Sequence, residues 1–327
     1  MKTEHVLVVG GAGFIGRHIV RLLAAQGVRV TVPARRRDRA KHLILLPTVQ
    51  VVEANVNVPG VLELLMRGAD AMINLAGVLH SRPAGADSDG GRRYGQDFFD
   101  AHVELPQRIV SACRATGVKR ILHMSALGAS RDAPSEYLRS KGAGEEALLA
   151  AEDLSVTVFR PSVVFGPEDR FLNLFAQLAA FTPVLALACP DARFQPVYVG
   201  DVAQSFVCAL GDTAAARDSA GKRYDLCGPR EYRLRDLVRT ACAIAGHRRL
   251  IIGLGAGLSW LQTWVLENLP GKLLTRDNLA SMRVPSVSDA ALPFGIVATS
   301  LEAAAPFYLA HTAPRERYDL LRHRANR

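Results

Sequence analysis

Apolar runs of strand length alternate along this chain with stretches whose apolar residues recur at helical spacing. Residues 5–9 form the first run, and residues 17–23 carry the first helical pattern. Further strands are predicted over 28–32, 49–53, 70–75 and 119–124, and helices over 58–67, 98–116 and 135–151. This alternation predicts an α/β fold, a doubly wound parallel sheet with helices on both faces.

A glycine turn joins the first predicted strand to the first predicted helix. Gly10, Gly13 and Gly16 recur at intervals of three residues. In a dinucleotide-binding βαβ unit, such glycines allow the tight turn, the approach of a pyrophosphate and close packing of the helix. The backbone N–H groups of Phe14 and Ile15, at the start of the helix, would then face the phosphates. We therefore predict a dinucleotide site at this turn.

The end of the second predicted strand indicates which dinucleotide binds. NAD-binding units carry a carboxylate there that accepts a hydrogen bond from the ribose 2′-hydroxyl. This chain instead has Arg35 and Arg36, and no acidic residue before Asp38. Guanidinium groups form charge-assisted hydrogen bonds with a 2′-phosphate. NADP(H) is therefore the preferred cofactor, with NAD(H) as the alternative.

The ends of the third and fourth predicted strands supply the remaining contacts expected for the cofactor. Asn55 and Val56 follow the third strand, where an adenine would be bracketed. Leu75, Ala76 and Gly77 end the fourth strand with small residues, which lets the backbone run beside a cofactor.

Candidate catalytic residues follow the fifth predicted strand. Ser125 lies at its carboxyl end, the edge at which open parallel sheets place their ligands. Tyr137 and Lys141 are four residues apart in the next helix and therefore share one face. A cationic lysine stabilises the phenolate form that a tyrosine needs for proton transfer. Chance pairing on a solvated helix is the alternative interpretation.

Together these residues resemble the short-chain dehydrogenase/reductase superfamily. The resemblance rests on the Gly10-x-x-Gly13-x-x-Gly16 turn, the Leu75-Ala76-Gly77 strand end and the Tyr137-x-x-x-Lys141 pair. Residues 160–167 are similar to the turn that lies against the nicotinamide in the extended and atypical branches, which implies cofactor contacts from Pro161 and Val163. Residues 195–203 resemble their late strand-to-helix segment.

More narrowly, residues 123–129 and 165–173 are similar to one atypical, epimerase/dehydratase-like group. That group is built around the nucleotide-binding accessory subunit of mitochondrial respiratory complex I and its bacterial relatives. The resemblance implies a Rossmann fold, NAD(P) binding, and catalysis by Tyr137, Lys141 and Ser125.

Three positions depart from the pattern of the related enzymes. Ala126 stands where many of them carry a second, catalytic hydroxyl. Either Ser125 supplies the hydroxyl that polarises the substrate oxygen, or that hydroxyl is absent. His102 lies where many relatives have asparagine, and Asn55 where aspartate is common. Cofactor binding tolerates these changes more easily than turnover does.

Composition narrows the possible partners and compartments. Hydrophobic residues make up 49% of the 327 residues, as expected for a globular protein with a substantial core. The net charge of +9 is spread along the chain without a nucleic-acid-binding motif, so no nucleic-acid partner is expected. The five cysteines form no C-x-x-C pair, and no targeting peptide precedes the first strand, which favours the cytoplasm. The histidines lack metal-ligand spacing, so no metal is expected.

The domain organisation predicted from these patterns is an NADP-binding domain over 1–165 and a smaller substrate region over 166–327. A strand and a helix near 193–211 are expected to return to the first sheet. Residues 250–266 lack charge and hold Trp260 and Trp264 four residues apart, which predicts one helix. Its apolar face is expected to pack on the protein and line a pocket; peripheral contact with the inner face of a membrane is the alternative. A basic tail covers 315–327.

Three functions remain compatible with the sequence. The first is an NADP(H)-dependent oxidoreductase for a carbonyl or hydroxyl of a small apolar, quinone-like or isoprenoid-like substrate. The second is a non-enzymatic NADPH-binding accessory protein of a respiratory or membrane complex. The third is a sugar-nucleotide epimerase or dehydratase, which Arg35 disfavours because such enzymes hold NAD tightly.

Overall fold

The computed structural model describes residues 3–82, 94–268 and 274–310, together with Arg322. Within these ranges the strands, numbered along the chain, are β1 (His5–Val9), β2 (Arg29–Ala34), β3 (Val49–Glu53), β4 (Ala71–Asn74), β5 (Arg120–Met124), β6 (Ser155–Pro161), β7 (Val164–Phe165), β8 (Val184–Leu187), β9 (Arg193–Phe194), β10 (Val197–Tyr198), β11 (Arg223–Leu226), β12 (Tyr232–Arg233) and β13 (Leu250–Gly253). The basic tail predicted over 315–327 lies outside the described residues, apart from Arg322.

The helices of the same ranges are numbered in the same way. They are α1 (Phe14–Ala25), α2 (Val61–Met66), α3 (Gln96–Phe99), α4 (Leu105–Thr116), α5 (Glu136–Leu149), α6 (Leu172–Phe181), α7 (Val199–Ala209), α8 (Ala214–Arg217), α9 (Leu234–Ile244), α10 (Ala256–Glu267), α11 (Arg276–Ser281), α12 (Leu301–Ala304) and α13 (Pro306–Leu309). A π-helical turn, Asp100–Glu104, joins α3 to α4.

The chain divides into two compact units. The first unit comprises the described residues of Met1–Pro161, Gly200–Leu226 and Ala290–Val297. Its sheet has the strand order β11-β6-β5-β4-β1-β2-β3, and every neighbouring pair is parallel. The order reverses direction between β1 and β4, so the carboxyl ends of these strands border the crevice in which doubly wound folds bind ligands.

The core of the first unit forms because the sheet strands are apolar on both faces. Leu7, Met72 and Ile121 are fully buried and belong to one cluster with Ile109 and Cys113 of α4. Near-continuous apolar strands of this kind are typical of parallel sheets covered by helices on both sides. The predicted fold class, a doubly wound parallel sheet, is therefore confirmed.

The second unit comprises the described residues of Ser162–Val199, Cys227–Asp289 and Ala298–Arg327. Its strands form two-stranded pairs: β7 with β10, β9 with β12, and β8 with β13. Its core includes Phe165, Leu172 and Phe194 together with Leu237 of α9 and Leu309 of α13. The boundary at residue 165 between two folding domains stays a prediction.

Two predicted elements differ from the structure. The single helix predicted over 250–266 is wrong, because Leu250–Gly253 pairs with Val184–Leu187 as a parallel strand before Ala256–Glu267 forms α10. An apolar run without charge does not distinguish a short strand followed by a helix from one long helix. The strand expected near residue 193, at the start of the 193–211 segment, is also divided, since Phe194 pairs with Tyr232 and Val197 with Val164.

A further correction concerns the packing of α10. Its buried residues are Ser259 and Thr263, whereas Trp260 and Trp264 are 54% and 50% exposed. The expectation that the tryptophan face packs on the protein is therefore wrong. No helix in the described part of the chain is both long and apolar enough to cross a membrane.

Candidate functional site

The glycine turn after β1 has the geometry that a dinucleotide phosphate site requires. Gly10 adopts a φ of +82°, a conformation that favours glycine, and the Gly13 N–H donates to the Gly10 carbonyl at 3.0 Å. A Cβ at Gly16 would lie 2.4 Å from the Gly10 oxygen, so the helix could not approach the turn as closely with any other residue. The predicted glycine positions thus form one tight turn.

The start of α1 is open to an anion. Gly13 is its N-cap and supplies no side-chain hydrogen bond, and the first turn holds no acidic residue. The N–H groups of Phe14 and Ile15, in the first turn of a helix, lack partners within that helix and carry its partial positive charge. The residues present therefore fit the pyrophosphate of a dinucleotide.

The arginine pair beyond β2 divides into two different environments. Arg35 is exposed directly after the strand. Arg36 donates to both carboxylate oxygens of Asp38, at 3.1 and 2.8 Å, and both side chains remain more than half exposed. Because the guanidinium fork of Arg36 is already occupied by Asp38, Arg35 is the better placed of the two for a 2′-phosphate.

The other predicted cofactor residues of the first unit lie at the carboxyl ends of β3 and β4. The Asn55 side chain is exposed and accepts the Asn57 N–H at 3.1 Å, while Val56 is partly buried against the core. Leu75 donates its N–H to the Val9 carbonyl at 2.9 Å, which places the end of β4 beside the glycine turn. Ala76 packs against the core that β4 shares with α4.

The two residues predicted near the nicotinamide fall in different units. Pro161 ends β6 in the first unit, where its carbonyl accepts the Leu127 N–H at 3.0 Å. Val163 belongs to the second unit, where its carbonyl accepts the Val197 N–H at 3.0 Å. A shared role of these two residues at the nicotinamide stays a prediction.

The ammonium group of Lys141 is buried at the carboxyl ends of β4 and β5. Its Nζ donates to the Met124 carbonyl oxygen at 3.1 Å, and a Cβ at Gly77 would lie 3.1 Å from the same nitrogen. Burial lowers the pKa of Lys141 to about 8, against the opposing effect of the Glu145 carboxylate one turn further along α5. This charge therefore sits directly beside the predicted cofactor-binding strand end.

Tyr137 and Ser125 are the other two candidate catalytic residues. Tyr137 is one helical turn before Lys141 in α5, is partly buried, and contacts the His102 ring edge-on with the centroids 5.6 Å apart. The Ser125 Oγ is buried and has no hydrogen-bond partner among the described residues. A buried hydroxyl without a partner costs free energy unless a ligand or water satisfies it. The Ser125 hydroxyl is therefore suited to donate a hydrogen bond to the oxygen of a ligand.

The hydrogen bonds of His102 fix its protonation state. The Ser140 hydroxyl gives its proton to the Tyr137 carbonyl at 2.8 Å, so His102 Nδ1 donates to the Ser140 Oγ at 2.8 Å. His102 Nε2 accepts the Val78 N–H at 3.1 Å. His102 is thus a neutral imidazole, protonated at Nδ1, that ties α5 to the segment after β4. Burial and, next, the Lys141 charge hold its pKa well below the ordinary value.

A second buried imidazole lies on β5. Asn74 and His123 are directly opposed in the register of β4 and β5, and the Asn74 amide lies 3.2 Å from His123 Nδ1. Since the Asn74 oxygen already accepts the Ala76 N–H at 3.1 Å, its amide nitrogen is the donor to His123. His123 then carries its proton on Nε2, which has no partner among the described residues. Burial and the Lys141 charge also keep the pKa of His123 well below its ordinary value.

Glu145 supplies the negative charge closest in sequence to Lys141. Its buried carboxylate accepts hydrogen bonds from Arg160 Nε at 2.8 Å and from Arg223 Nε at 3.0 Å. These partners belong to β6 and β11, so the cluster also links α5 to two strands of the sheet. A buried carboxylate needs such partners to remain ionised.

Sequence reasoning did not identify Asn74, His123 or Glu145 as part of this cluster. A usable signal existed for the first two, since a polar residue occupies the same register position in two adjacent, otherwise apolar strands. For Glu145 the signal was its spacing of four residues from Lys141. Among the described residues, no group of His, Cys, Asp and Glu side chains could hold a metal ion.

The buried lysine predicts a specific alkaline pH dependence of stability. The unfolded chain binds a proton at Lys141 up to its ordinary pKa of 10.5, whereas the folded protein releases it at about 8. Because the unfolded chain then binds more protons than the folded protein, the free energy of unfolding rises with pH. The rise between about pH 7 and pH 9 is about 1 kcal/mol. Lys141→Met should abolish this increment. Urea unfolding of both proteins measures it; parallel pH curves for the two would contradict the assignment.

The neutral state of His102 predicts an acid-side effect. Because its folded pKa is lowered, the stability linked to His102 is complete above its ordinary pKa of 6.5 and is lost as pH falls below it. His102→Ala should remove the share of this dependence that comes from His102, and it should leave the Val78 N–H without its acceptor and the Ser140 Oγ without its donor, at a cost of about 2–4 kcal/mol. His102→Asn, which keeps one donor and one acceptor, should recover part of that loss. Equal stabilities of the two variants in urea would argue against the two hydrogen bonds.

Comparison with known proteins agrees with this geometry. The family model described as the NAD dependent epimerase/dehydratase family matches residues 6–227. The Arabidopsis thaliana protein named NADH dehydrogenase [ubiquinone] 1 alpha subcomplex subunit 9, mitochondrial, is 35% identical over 68% of this chain, and the match spans 53% of that protein. A Caulobacter vibrioides protein named ceramide reductase is 37% identical over 62% of this chain and 59% of its own length. The chain thus spans little more than half the length of these relatives.

Solved structures show the same fold at lower identity. MoeE5, whose structure was determined with UDP-glucuronic acid and NAD, superposes with a TM-score of 0.66 at 19% identity, covering 95% of this chain and 99% of that one. The fold, the glycine turn and the extent of the family match lead to one conclusion. The chain belongs to the NAD dependent epimerase/dehydratase family, whose NAD(P)-binding Rossmann-like fold it shares with atypical short-chain dehydrogenase/reductase-type proteins.

Proposed function

We propose that this protein is an NADP(H)-dependent oxidoreductase that interconverts a carbonyl and a hydroxyl group on an apolar substrate. The observation that carries the proposal is the buried Lys141 ammonium, 3.1 Å from the Met124 carbonyl, one helical turn from Tyr137. When bound, the nicotinamide supplies or accepts the hydride. The protein supplies proton transfer, orientation and a site from which water is excluded.

Each candidate catalytic side chain has a separate role in this proposal. Tyr137 donates a proton to the substrate oxygen in reduction and removes it in oxidation. Lys141 stabilises the phenolate that Tyr137 becomes, and its charge also suits the ribose hydroxyls. Ser125 directs its unpartnered hydroxyl at the same substrate oxygen, which takes over the role of the residue that Ala126 replaces. His102 holds α5, and therefore Tyr137 and Lys141, against the segment after β4.

The substrate that we propose is lipid-like, with a long apolar chain next to the reacting carbonyl. The relative named ceramide reductase supports a lipid over a sugar nucleotide. The exposed Arg35 also argues against a sugar-nucleotide epimerase or dehydratase, because it suits NADP rather than tightly held NAD. The likeness to MoeE5, at 19% identity, supports the fold and not its ligand.

A second candidate function is a non-enzymatic NADPH-binding accessory protein of a respiratory or membrane complex. Ala126 favours it because a hydroxyl common in related enzymes is missing. The match to a relative named as a complex I subunit also favours it. We place the protein in the cytoplasm in either case, peripheral to the inner face of a membrane. The two functions differ in whether NADPH is consumed.

Cofactor preference is tested by the arginine pair. Arg35→Ala should weaken NADPH binding about ten- to a hundredfold and leave NADH binding nearly unchanged, because a charge-assisted bond to the 2′-phosphate contributes about 1.5–3 kcal/mol. Arg36→Ala should have a smaller effect, since Asp38 occupies its guanidinium group. Arg39→Ala, an exposed arginine of the same loop, is the matched control. Equal calorimetric affinities of the unchanged protein for NADPH and NADH would contradict the proposed preference.

Catalysis is tested by Tyr137→Phe. The variant should fold and bind NADPH as before but lose NADPH oxidation with long-chain ketones, because it lacks the proton-transfer hydroxyl. The measurement follows NADPH absorbance with a long-chain 3-oxo compound, a ubiquinone analogue and a UDP-sugar in parallel. Activity within a few-fold of the unchanged protein would contradict the role of Tyr137. NADPH binding without turnover of any ketone or quinone would favour the accessory function.

A further inference from the structure

Helix α10 of the second unit has an inverted distribution of polar and apolar residues. The buried positions are Ser259 and Thr263, which are polar. Its exposed side chains are large and apolar; we call them the α10 face, formed by Leu258 (59% exposed), Trp260 (54%), Leu261 (50%), Trp264 (50%) and Val265 (44%). Both tryptophans of the chain belong to this face. A contiguous exposed apolar surface of this kind marks an interaction site.

Three side-chain hydrogen bonds hold the buried side of α10. The Ser259 hydroxyl donates to the Leu254 carbonyl at 3.2 Å, and the Thr263 hydroxyl donates to the Ser259 carbonyl at 2.8 Å. The Gln262 amide donates to the Ala186 carbonyl of β8 at 2.9 Å. The helix is therefore anchored through its polar side, and the orientation of its apolar side follows from specific contacts.

The strand pair β8 and β13, which Gln262 of α10 contacts through the Ala186 carbonyl, also exposes apolar side chains. In β8 and β13, alternate residues point away from the core of the second unit. The outward residues include Val184 (42% exposed), Leu250 (61%) and Ile252 (45%). Leu185 and Leu187, which alternate with them in β8, are buried in that core. The outward side chains named here in β8 and β13 are thus apolar and exposed to solvent.

Two arginines adjoin this surface at the start of β13. Residues 250–266 include no charged side chain, and Glu267 at the end of α10 is paired with Arg276 at 2.8 Å. Arg248 and Arg249 directly precede β13; Arg248 is exposed, and Arg249 Nε donates to the Ala179 carbonyl at 2.7 Å. An isologous contact between two copies would set this basic edge against itself. An anionic lipid surface complements it.

We propose that the α10 face docks on the surface of a bilayer that contains anionic glycerophospholipid. The tryptophan rings settle at the headgroup boundary, where one part of the ring is apolar and the other is hydrated. The aliphatic residues of the face enter the outer acyl region, and Arg248 and Arg249 contact the phosphates. This proposal is independent of the reaction, because it concerns the second unit and no residue of the NADP site.

Intrinsic fluorescence tests the docking directly, because both tryptophans lie on the proposed face. The full chain is mixed with vesicles of phosphatidylcholine that contain phosphatidylglycerol, and with phosphatidylcholine alone. The anionic vesicles should shift the emission to shorter wavelength and pellet the protein, and doxyl-labelled lipid should quench the emission. Binding should fall steeply in about 1 M NaCl, where the Debye length is about 3 Å.

Variants assign the binding to this surface. The double variant Trp260→Ser/Trp264→Ser should weaken vesicle pelleting by about tenfold or more, because it removes the largest apolar groups of the face. Arg248→Ala should weaken it about fivefold. Phe307→Ser is the matched control, since it removes an 80% exposed aromatic side chain on α13. Circular dichroism and calorimetric NADPH affinity should remain unchanged in all three, which separates docking from the proposed reaction.

Three results would overturn the proposal. One is unshifted and unquenched emission, with no pelleting, in the presence of anionic vesicles at low ionic strength. Another is a protein dimer at assay concentration that Trp260→Ser/Trp264→Ser dissociates, because the face would then be occupied by a second copy. Retention of vesicle binding by the double variant at full strength would equally exclude the α10 face.

Discussion

The buried ammonium group of Lys141 constrains the protonation of the groups around it. Burial is the main cause that keeps His102 and His123 neutral, and the Lys141 charge lowers their pKa values further, because a second positive charge nearby is costly in a medium of low dielectric constant. Glu145 offsets part of the cost, since its carboxylate raises the pKa of the lysine. Because Arg160 and Arg223 in turn hold that carboxylate, the charge at the site depends on strands at one side of the sheet. The charge of Lys141 and the packing of α5 therefore depend on the same contacts of Glu145.

Parallel strand pairing explains why these groups meet. The carboxyl ends of adjacent parallel strands lie along one edge, and the in-register pair Asn74 and His123 brings two polar side chains together there. The oxygen of the Asn74 amide accepts from Ala76 and its nitrogen donates to His123, so this side chain fixes both the strand end and the imidazole. Short chains of hydrogen bonds of this kind fix a single arrangement where an apolar pair would allow several.

Sequence predicted the parts of the fold that depend on local pattern, and missed those that depend on distant partners. The glycine turn and the first five strands follow from backbone sterics and apolar runs, so Gly10 and its neighbours were predictable. The division of 250–266 into β13 and α10 depends on pairing with β8, which lies more than 60 residues earlier and leaves no local trace. The occupation of Arg36 by Asp38 likewise depends on loop geometry. The roles of Tyr137 and Ser125 stay predictions.

The orientation of α10 shows why hydrophobicity alone misled the sequence analysis. An uncharged helix is usually expected to bury its largest apolar side chains, because their removal from water is the main gain on folding. In α10 the residues that face the protein are small and polar, and each makes a hydrogen bond to a backbone carbonyl, so burying them costs little. The apolar gain from Trp260 and Trp264 is thereby left unused within the chain. Folding of the chain alone does not account for that arrangement. The free energy of removing Trp260 and Trp264 from water becomes available when an apolar partner, such as the acyl region of a bilayer, covers the α10 face.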